Sequence, residues 1–358
     1  MEEEITISLC MIVRDEEGTI ARCLNSVKEI VDEMIIVDTG SVDRTKEIAS
    51  EYTPHIYNFE WIDDFAAARN FSFSKATQEY ILWLDADDVL PGDSRESLKA
   101  LKKELDRKVD SVSMLYHLTF DVNGNPSYSS RRNRLVKREC NFKWFGKVHE
   151  YLAVYGEILR SDIGITHEKE KEWTNRNLKI YESAVARGEE LSPRDVYYYA
   201  NECVDNQKYE EAIVLYEKFL NDGLGWKEDN INAAGKLGDC YEKLEQWQKA
   251  IEACIRSFHY DIPRGEICTQ LGSIYMVQEK YKEAIYWYKT ATEVPVPTDA
   301  PFYNPTNYTW VPFLQLCVCH SRLGQQEKAY YYNELAATYV PDHPAIAYNR
   351  NYFKSLFE

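Results

Sequence analysis

Residues 81–90 begin as an apolar run, Ile81 to Leu84, and end among three carboxylates, Asp85, Asp87 and Asp88. Such a run suits a strand covered on both faces, and ligands of open α/β sheets bind just beyond the carboxyl ends of such strands. Asp85 and Asp87 are two apart and fall on one side of an ideal strand, whereas Asp88 is expected in a turn that Pro91 and Gly92 enforce. Like charges this close invite a cation. Hard oxygen donors select Mg²⁺ or Mn²⁺ over Zn²⁺, and those ions bridge to substrate phosphates. Taken alone, the segment also reads as a solvated acidic turn or a helix N-cap.

Two further clusters carry chemistry. Phe142 to Leu152 holds His149 and Glu150 among aromatic and apolar neighbours. A carboxylate so placed is expected to have a raised pKa and to serve as general base, which makes Glu150 the first candidate and His149 the second; a purely structural pair is the alternative. Ser130 to Arg138 is the one dense basic run in an acidic chain. A solvated charged strand is the ordinary explanation. Arg131 and Arg134, or Arg132 and Arg134 on one strand face, would otherwise clamp phosphate in the planar way arginine allows, with Arg132 the weakest of the three.

These residues need elements to hold them. The chain has 358 residues and a formal net charge of −17, long enough for two domains and of the wrong sign for a non-specific nucleic-acid binder. No stretch approaches the about 18 apolar residues of a membrane span, and the N-terminus lacks a signal-like apolar segment, so a soluble, cytoplasmic protein without membrane insertion is expected. Nine cysteines without CxxC spacing read as reduced core residues.

Up to about residue 170, short apolar runs alternate with helical stretches: 5–13, 18–31, 34–37, 44–52, 66–77, then the acidic strand. That is the signature of βαβ units and a mostly parallel sheet, an α/β domain over 1–170. A linker helix is expected over 171–190. From 191 to 358 the texture is all helical and repeats itself, with Ala212, Ala250 and Ala284 spaced by 38 and 34 residues, each following an aromatic residue at Tyr209, Trp247 or Tyr281. With Leu237-Gly238 before Tyr241 and Leu271-Gly272 before Tyr275, this unit looks like the tetratricopeptide repeat. A fourth unit around Ala329 comes 45 residues on, lengthened by the Pro-rich stretch 294–312, which is the best candidate for a specific contact or docking flap. Most tyrosines of this half, including Tyr197 to Tyr199 and Tyr330 to Tyr332, are expected in the core. Residues 345–358 read as a capping helix or, less simply, a dimer contact.

In order, Ser8 to Glu17, Ile36 to Thr45, Phe65 to Asn70 and Trp83 to Asp88 closely resemble the successive signatures of family-two glycosyltransferases of the GT-A fold. Joined to tetratricopeptide repeats, the chain is similar to bacterial transferases that glycosylate peptide cysteine or serine residues. The resemblance implies a nucleotide site at Val13, Asp15, Asp38, Arg69 and Asp85, with Arg69 reaching the diphosphate, to which Arg131 and Arg134 are added as the phosphate clamp read from the basic run. Asp38 ends the second strand and is expected to accept the imide N–H of uracil, or else to cap the following turn. The family commonly has a second Asp where this chain has Thr39, so any role for that position is in doubt. Asp87 is expected as direct metal ligand and Asp85 as ribose or water-mediated partner, an assignment that is interchangeable. In related enzymes a histidine after the acceptor region often completes the metal site, which makes His167 the candidate ligand here, or else a satisfied polar residue.

The expectation is therefore an inverting, Mn²⁺- or Mg²⁺-dependent enzyme that moves a hexose from a UDP-sugar, UDP-glucose first, to a Ser, Thr or Cys side chain of a peptide or protein acceptor held by the repeats. Inversion follows from the family alone. A homodimer and no nucleic-acid partner complete it. The alternatives are a cell-surface glycan transferase and, in another class, a repeat scaffold with a nucleotide-sensing domain.

Overall fold

The computed structural model describes residues 4–120, 126–168, 174–297 and 303–357. The chain divides into two compact units, Met1–Gly188 and Glu189–Glu358. In the first, β1 (Ile7–Val13), β2 (Glu33–Asp38), β3 (Ile56–Asn58), β4 (Tyr80–Trp83), β5 (Asp88–Val89), β6 (Ser111–Phe120), β7 (Pro126–Lys137) and β10 (Ile158–His167) form one sheet, while β8 (Lys143–Phe145) and β9 (Tyr151–Ala153) pair separately. The order across the sheet is β3-β2-β1-β4-β7-β6-β10-β5. The first four are mutually parallel, β6 runs parallel to β10, and β7 and β5 are antiparallel to their neighbours.

Alternation along β1 explains why this sheet is covered on both faces. Ile7, Leu9, Met11 and Val13 join one core with Leu24 of α1 (Ile20–Val27) and Leu98 of α4 (Gly92–Glu104). Cys10 turns to the other core with Ile35, Val37 and Ile81. Helices α2 (Thr45–Ser50), α3 (Phe65–Phe73) and α5 (Arg176–Ala186) complete the unit.

The acidic segment departs from the expected single strand. β4 stops at Trp83, the chain turns through Asp85 to Asp87, and Asp88 begins a new edge strand that pairs with β10, His167 opposite Asp88. Asp88 is therefore held by a ladder and not by the turn at Pro91 and Gly92, and Pro91 instead precedes α4.

The second unit is an array of helix pairs of tetratricopeptide type: α6 (Pro193–Asp205) with α7 (Tyr209–Asp222), α8 (Lys227–Lys243) with α9 (Trp247–Arg256), α10 (Gly265–Val277) with α11 (Tyr281–Glu293), and α12 (Trp310–Arg322) with α13 (Gln326–Ala337), followed by α14 (Pro344–Phe357). Small residues permit the close approach: Ala212, Ala250, Ala284 and Ala329 are fully buried, and a Cβ added at Gly272 would meet the Tyr288 ring at 2.7 Å. Of the tyrosines expected in the core, Tyr197 is buried but Tyr330 and Tyr331 are exposed. Three consecutive positions on a helix cannot share one face. Of the stretch 294–312, residues 298–302 lie outside the described residues. Pro305–Tyr308 forms a single 3₁₀ turn whose Tyr308 packs on Gly265 and donates to Glu266 at 2.7 Å, so that part is docked on α10. No helix among the described residues is long and apolar enough to cross a membrane.

Every pair turns the same way. Gln207, Glu245, Glu279 and Gly324 all have positive φ, and the next residue donates its N–H back five positions: Lys208 to Cys203, Gln246 to Tyr241, Lys280 to Tyr275 and Gln325 to His320, at 2.8–2.9 Å. This is the left-handed helix ending that favours glycine, which only the fourth pair supplies. Replacing exposed Glu279 (φ +59°) by glycine is expected to stabilise the unit by about 0.5–1 kcal/mol, read as a rise in Tm.

Candidate active site

The carboxyl ends of β1, β2 and β4 lie side by side, and the loops that leave them are stitched together. Val13 is buried, and its carbonyl accepts both the N–H (2.9 Å) and the hydroxyl (3.1 Å) of Thr39. Val13 is thus a wall residue with its carbonyl already taken. Thr39, whose role was in doubt, ties β2 to β1. Asp15, with φ +54°, takes Ser41 Oγ on its N–H at 3.0 Å and accepts from the Val42 N–H at 2.8 Å. Asp38 is buried and accepts from the N–H groups of Gly40 and Ser41 at 3.1–3.2 Å, with Lys46 Nζ 3.6 Å away. Its geometry is that of a turn cap, the alternative weighed from the sequence.

Below this rim sit two ion-pair systems that share one indole, Trp83. Arg69 on α3 donates from Nε to Glu150 Oε1 at 2.6 Å and from Nη2 to Asp85 Oδ1 at 2.7 Å, with its guanidinium 5.1 Å from the Trp83 ring centre and 4.8 Å from that of Trp144. Arg134 stands on the other system: Nη1 lies 2.9 Å from Asp88 Oδ2, and its guanidinium is 3.9 Å from Trp83 and 4.5 Å from Tyr116. Arg134 is 1% and Asp88 0% exposed.

Several assignments change as a result. Glu150 does not sit among apolar groups alone; the Arg69 guanidinium shares its carboxylate. Arg69 is buried and bonded to two carboxylates, and so braces the site. Asp85 belongs to the Arg69 pair and stands outside the potential cation cluster, which consists of Asp87, Asp88 and His167. His149 is exposed, with φ +52°. Of the basic strand, Arg131 bonds to the Ser161 carbonyl at 2.8 Å and to Asp162 at 3.1 Å. Arg134 lies inside because β7 bulges there: Leu135 faces Val112 and Asn133 faces Ser113, leaving Arg134 unopposed. Arg132, ranked last, is exposed, as Arg131 is, and its guanidinium lies 5.7 Å from the ring of Tyr116, which Arg134 also approaches. Asp88, Tyr116, Trp83 and Trp144 were not foreseen as site residues; only the adjacency of Asp87 and Asp88 could have signalled that either might face the cation.

The cluster fits a hard divalent cation. One ligand atom from each of Asp87, Asp88 and His167 lies within 4.8 Å of the others. Asp88 Oδ2 is occupied by Arg134 and by the Asp85 N–H at 2.9 Å, while Oδ1 is buried with no hydrogen-bond partner. His167 Nδ1 is likewise buried and unpartnered, 3.7 Å from that oxygen and 3.6 Å from Asp87 Oδ1. Two orphaned buried atoms that face each other at this spacing call for a bridging group. The Glu168 N–H bond to the Asp87 carbonyl (2.9 Å) and the Arg22 bond to the Glu168 carbonyl (3.0 Å) fix the end of β10.

Residues 8–163 match the family described as Glycosyl transferase family 2. The N-terminal unit is a family 2 glycosyltransferase domain. The chain is 28% identical over 230 residues to the SPbeta prophage-derived glycosyltransferase SunS of Bacillus subtilis, covering 60% of this chain and 53% of that one. It is 50% identical over 144 residues to a TPR repeat-containing protein of Synechococcus elongatus, covering 40% of this chain and 34% of that one. The chain therefore spans about a third to a half of the length of these relatives. Among solved structures, YrrB, titled a TPR protein with an unusual peptide-binding site, covers 49% of this chain at 22% identity and a TM-score of 0.38, with 82% of YrrB matched.

Electrostatics in the glycosyltransferase domain oppose the two ends of the acidic loop. Partial burial would raise the pKa of Asp85, but Arg69 and then Arg134 hold it below the usual carboxylate range. Burial pushes Asp87 up to about 6, against the pull of His167 and helped by Asp85 and Asp88. Contact with Asp88 raises His167 despite its burial. A cation must displace protons from both Asp87 and His167. Mn²⁺ affinity of the glycosyltransferase domain is accordingly expected to hold above pH 7 and to fall by at least about tenfold per pH unit below pH 6, measured by electron paramagnetic resonance titration between pH 5 and 8.

Proposed function

We propose that this protein is a divalent-metal-dependent glycosyltransferase that moves a hexose from a UDP-sugar, UDP-glucose first, to a Ser, Thr or Cys side chain of a polypeptide, with inversion. The reading rests above all on the orphaned Asp88 Oδ1 and His167 Nδ1 beside Asp87, at the carboxyl end of the sheet in a family 2 domain. The likeness to SunS, longer than the family match itself, supports an enzyme in which both units take part.

In this reading Asp87, Asp88 and His167 hold Mn²⁺ or Mg²⁺, which supplies positive charge for the departing diphosphate. The bonded turns at Val13, Asp15 and Asp38 shape the wall for uridine, and Asp85, fixed by Arg69, orients the ribose. Arg132 is the basic side chain best placed to meet phosphate. Glu150 acts through Arg69 as a positioning residue, and His149 becomes the first candidate to take the acceptor's proton. A thiol acceptor would need that help least, since it ionises most easily. The repeat unit recruits the polypeptide, as arrays of this kind offer extended surfaces.

Calorimetric titration of UDP, with and without Mn²⁺, tests the reading on wild type and Asp87→Ala at one ionic strength. UDP binding that requires Mn²⁺ and weakens at least about tenfold in Asp87→Ala is expected. Absence of UDP binding by wild type with Mn²⁺ present would remove this reading.

A further inference from the structure

Asp88 divides its two oxygens. Oδ2 is spent on Arg134 and the Asp85 N–H, and Oδ1 alone faces His167 and Asp87. Arg134 has been brought there at some cost: it is the unopposed residue of a β-bulge, its guanidinium is shut between the Trp83 and Tyr116 rings, and its Nε is buried without a partner. A buried guanidinium directly behind a cation ligand is electrostatically adverse to that cation. Two carboxylates against one guanidinium leave the cluster of Asp87, Asp88, Arg134 and neutral His167 with a single negative charge. With one of the two ligand charges cancelled, a divalent ion keeps positive charge that its own ligands do not neutralise and that an anion can meet.

We propose that Arg134 is a positioning residue that makes cation binding at Asp87, Asp88 and His167 depend on the substrate's diphosphate. It does so by restricting Asp88 to one donor oxygen and cancelling one of the two ligand charges. The proposal rests on the metal-dependent reading above. By thermodynamic reciprocity, the factor by which UDP tightens the ion equals the factor by which the ion tightens UDP, and Arg134 sets the size of both. Free protein would hold the ion weakly, so that ion and nucleotide arrive and depart together.

The test measures Mn²⁺ binding to the full chain by electron paramagnetic resonance at pH 8, with and without UDP, in wild type, Arg134→Met, Arg134→Lys and the double variant Asp88→Asn/Arg134→Met. In Arg134→Met, Mn²⁺ alone is expected to bind on the order of tenfold more tightly, and the enhancement by UDP to shrink by a similar factor. Arg134→Lys keeps the charge and is expected to retain the wild-type enhancement. The double variant removes the buried pair together and keeps one net negative charge; it is expected to bind Mn²⁺ more weakly but to preserve the enhancement, and it serves if Arg134→Met does not fold. A purely structural role for Arg134 would weaken Mn²⁺ binding in Arg134→Met, the opposite sign. That result, or an enhancement unchanged in Arg134→Met, or one lost in the double variant, overturns the proposal while leaving metal-dependent UDP binding by wild type intact. Failure of wild type to bind Mn²⁺ even with UDP would instead bring down the underlying reading and this proposal with it.

Discussion

A loop that gathers three carboxylates within four residues cannot be half-buried unless positive charge is buried with it. Here Arg69 and Arg134 meet that condition, both lying against one indole, Trp83, whose Nε1–H is itself fixed on the Asn133 carbonyl at 2.6 Å. Aromatic rings beside each guanidinium replace part of the water it gives up, and the carboxylates provide the rest. Because Arg69 comes from α3, Asp85 from the end of β4, Glu150 from the loop between β8 and β9, and Arg134 from β7, the charge balance also fixes how four separate segments meet. Burying such pairs adds little net stability, but losing one partner is costly. The network therefore reads as a constraint on geometry more than as a source of folding energy.

What the sequence made legible was whatever depends on neighbours along the chain. The period of apolar residues gave alternating strands and helices, carboxylates at strand ends marked the ligand edge, and the spacing of Ala212, Ala250 and Ala284 with their aromatic partners gave the repeats. What depends on pairing across the sheet was not legible. Asp88 could be placed opposite His167 only once β5 was known to pair with β10, across 79 residues of sequence. The burial of Arg134 between exposed Arg132 and buried Leu135 follows from the bulge in β7, which no local pattern announces. Glu150 appeared to have apolar neighbours because Arg69, which pairs with it, lies 81 residues earlier.

The repeat unit shows a different compromise. Its four pairs share one left-handed turn, yet three of them place Gln207, Glu245 and Glu279 where glycine would fit with less strain. The repeated bond to the carbonyl five residues back holds each in place. Stability is thus given up at the turns of an array whose interior is tightly fitted, as the contact between Gly272 and Tyr288 shows.

The extra residue at Arg134 means that this domain has no regularised equivalent. Deleting one residue from β7, the first edit a designer would make to straighten the strand, would reverse the facing of everything on one side of the bulge. The counter-charge would swing toward solvent while Asp88 stayed inside. In lineages of such chains, an insertion or deletion in β7 would be filtered as severely as the loss of an acidic residue, though it alters no side chain of the cation cluster.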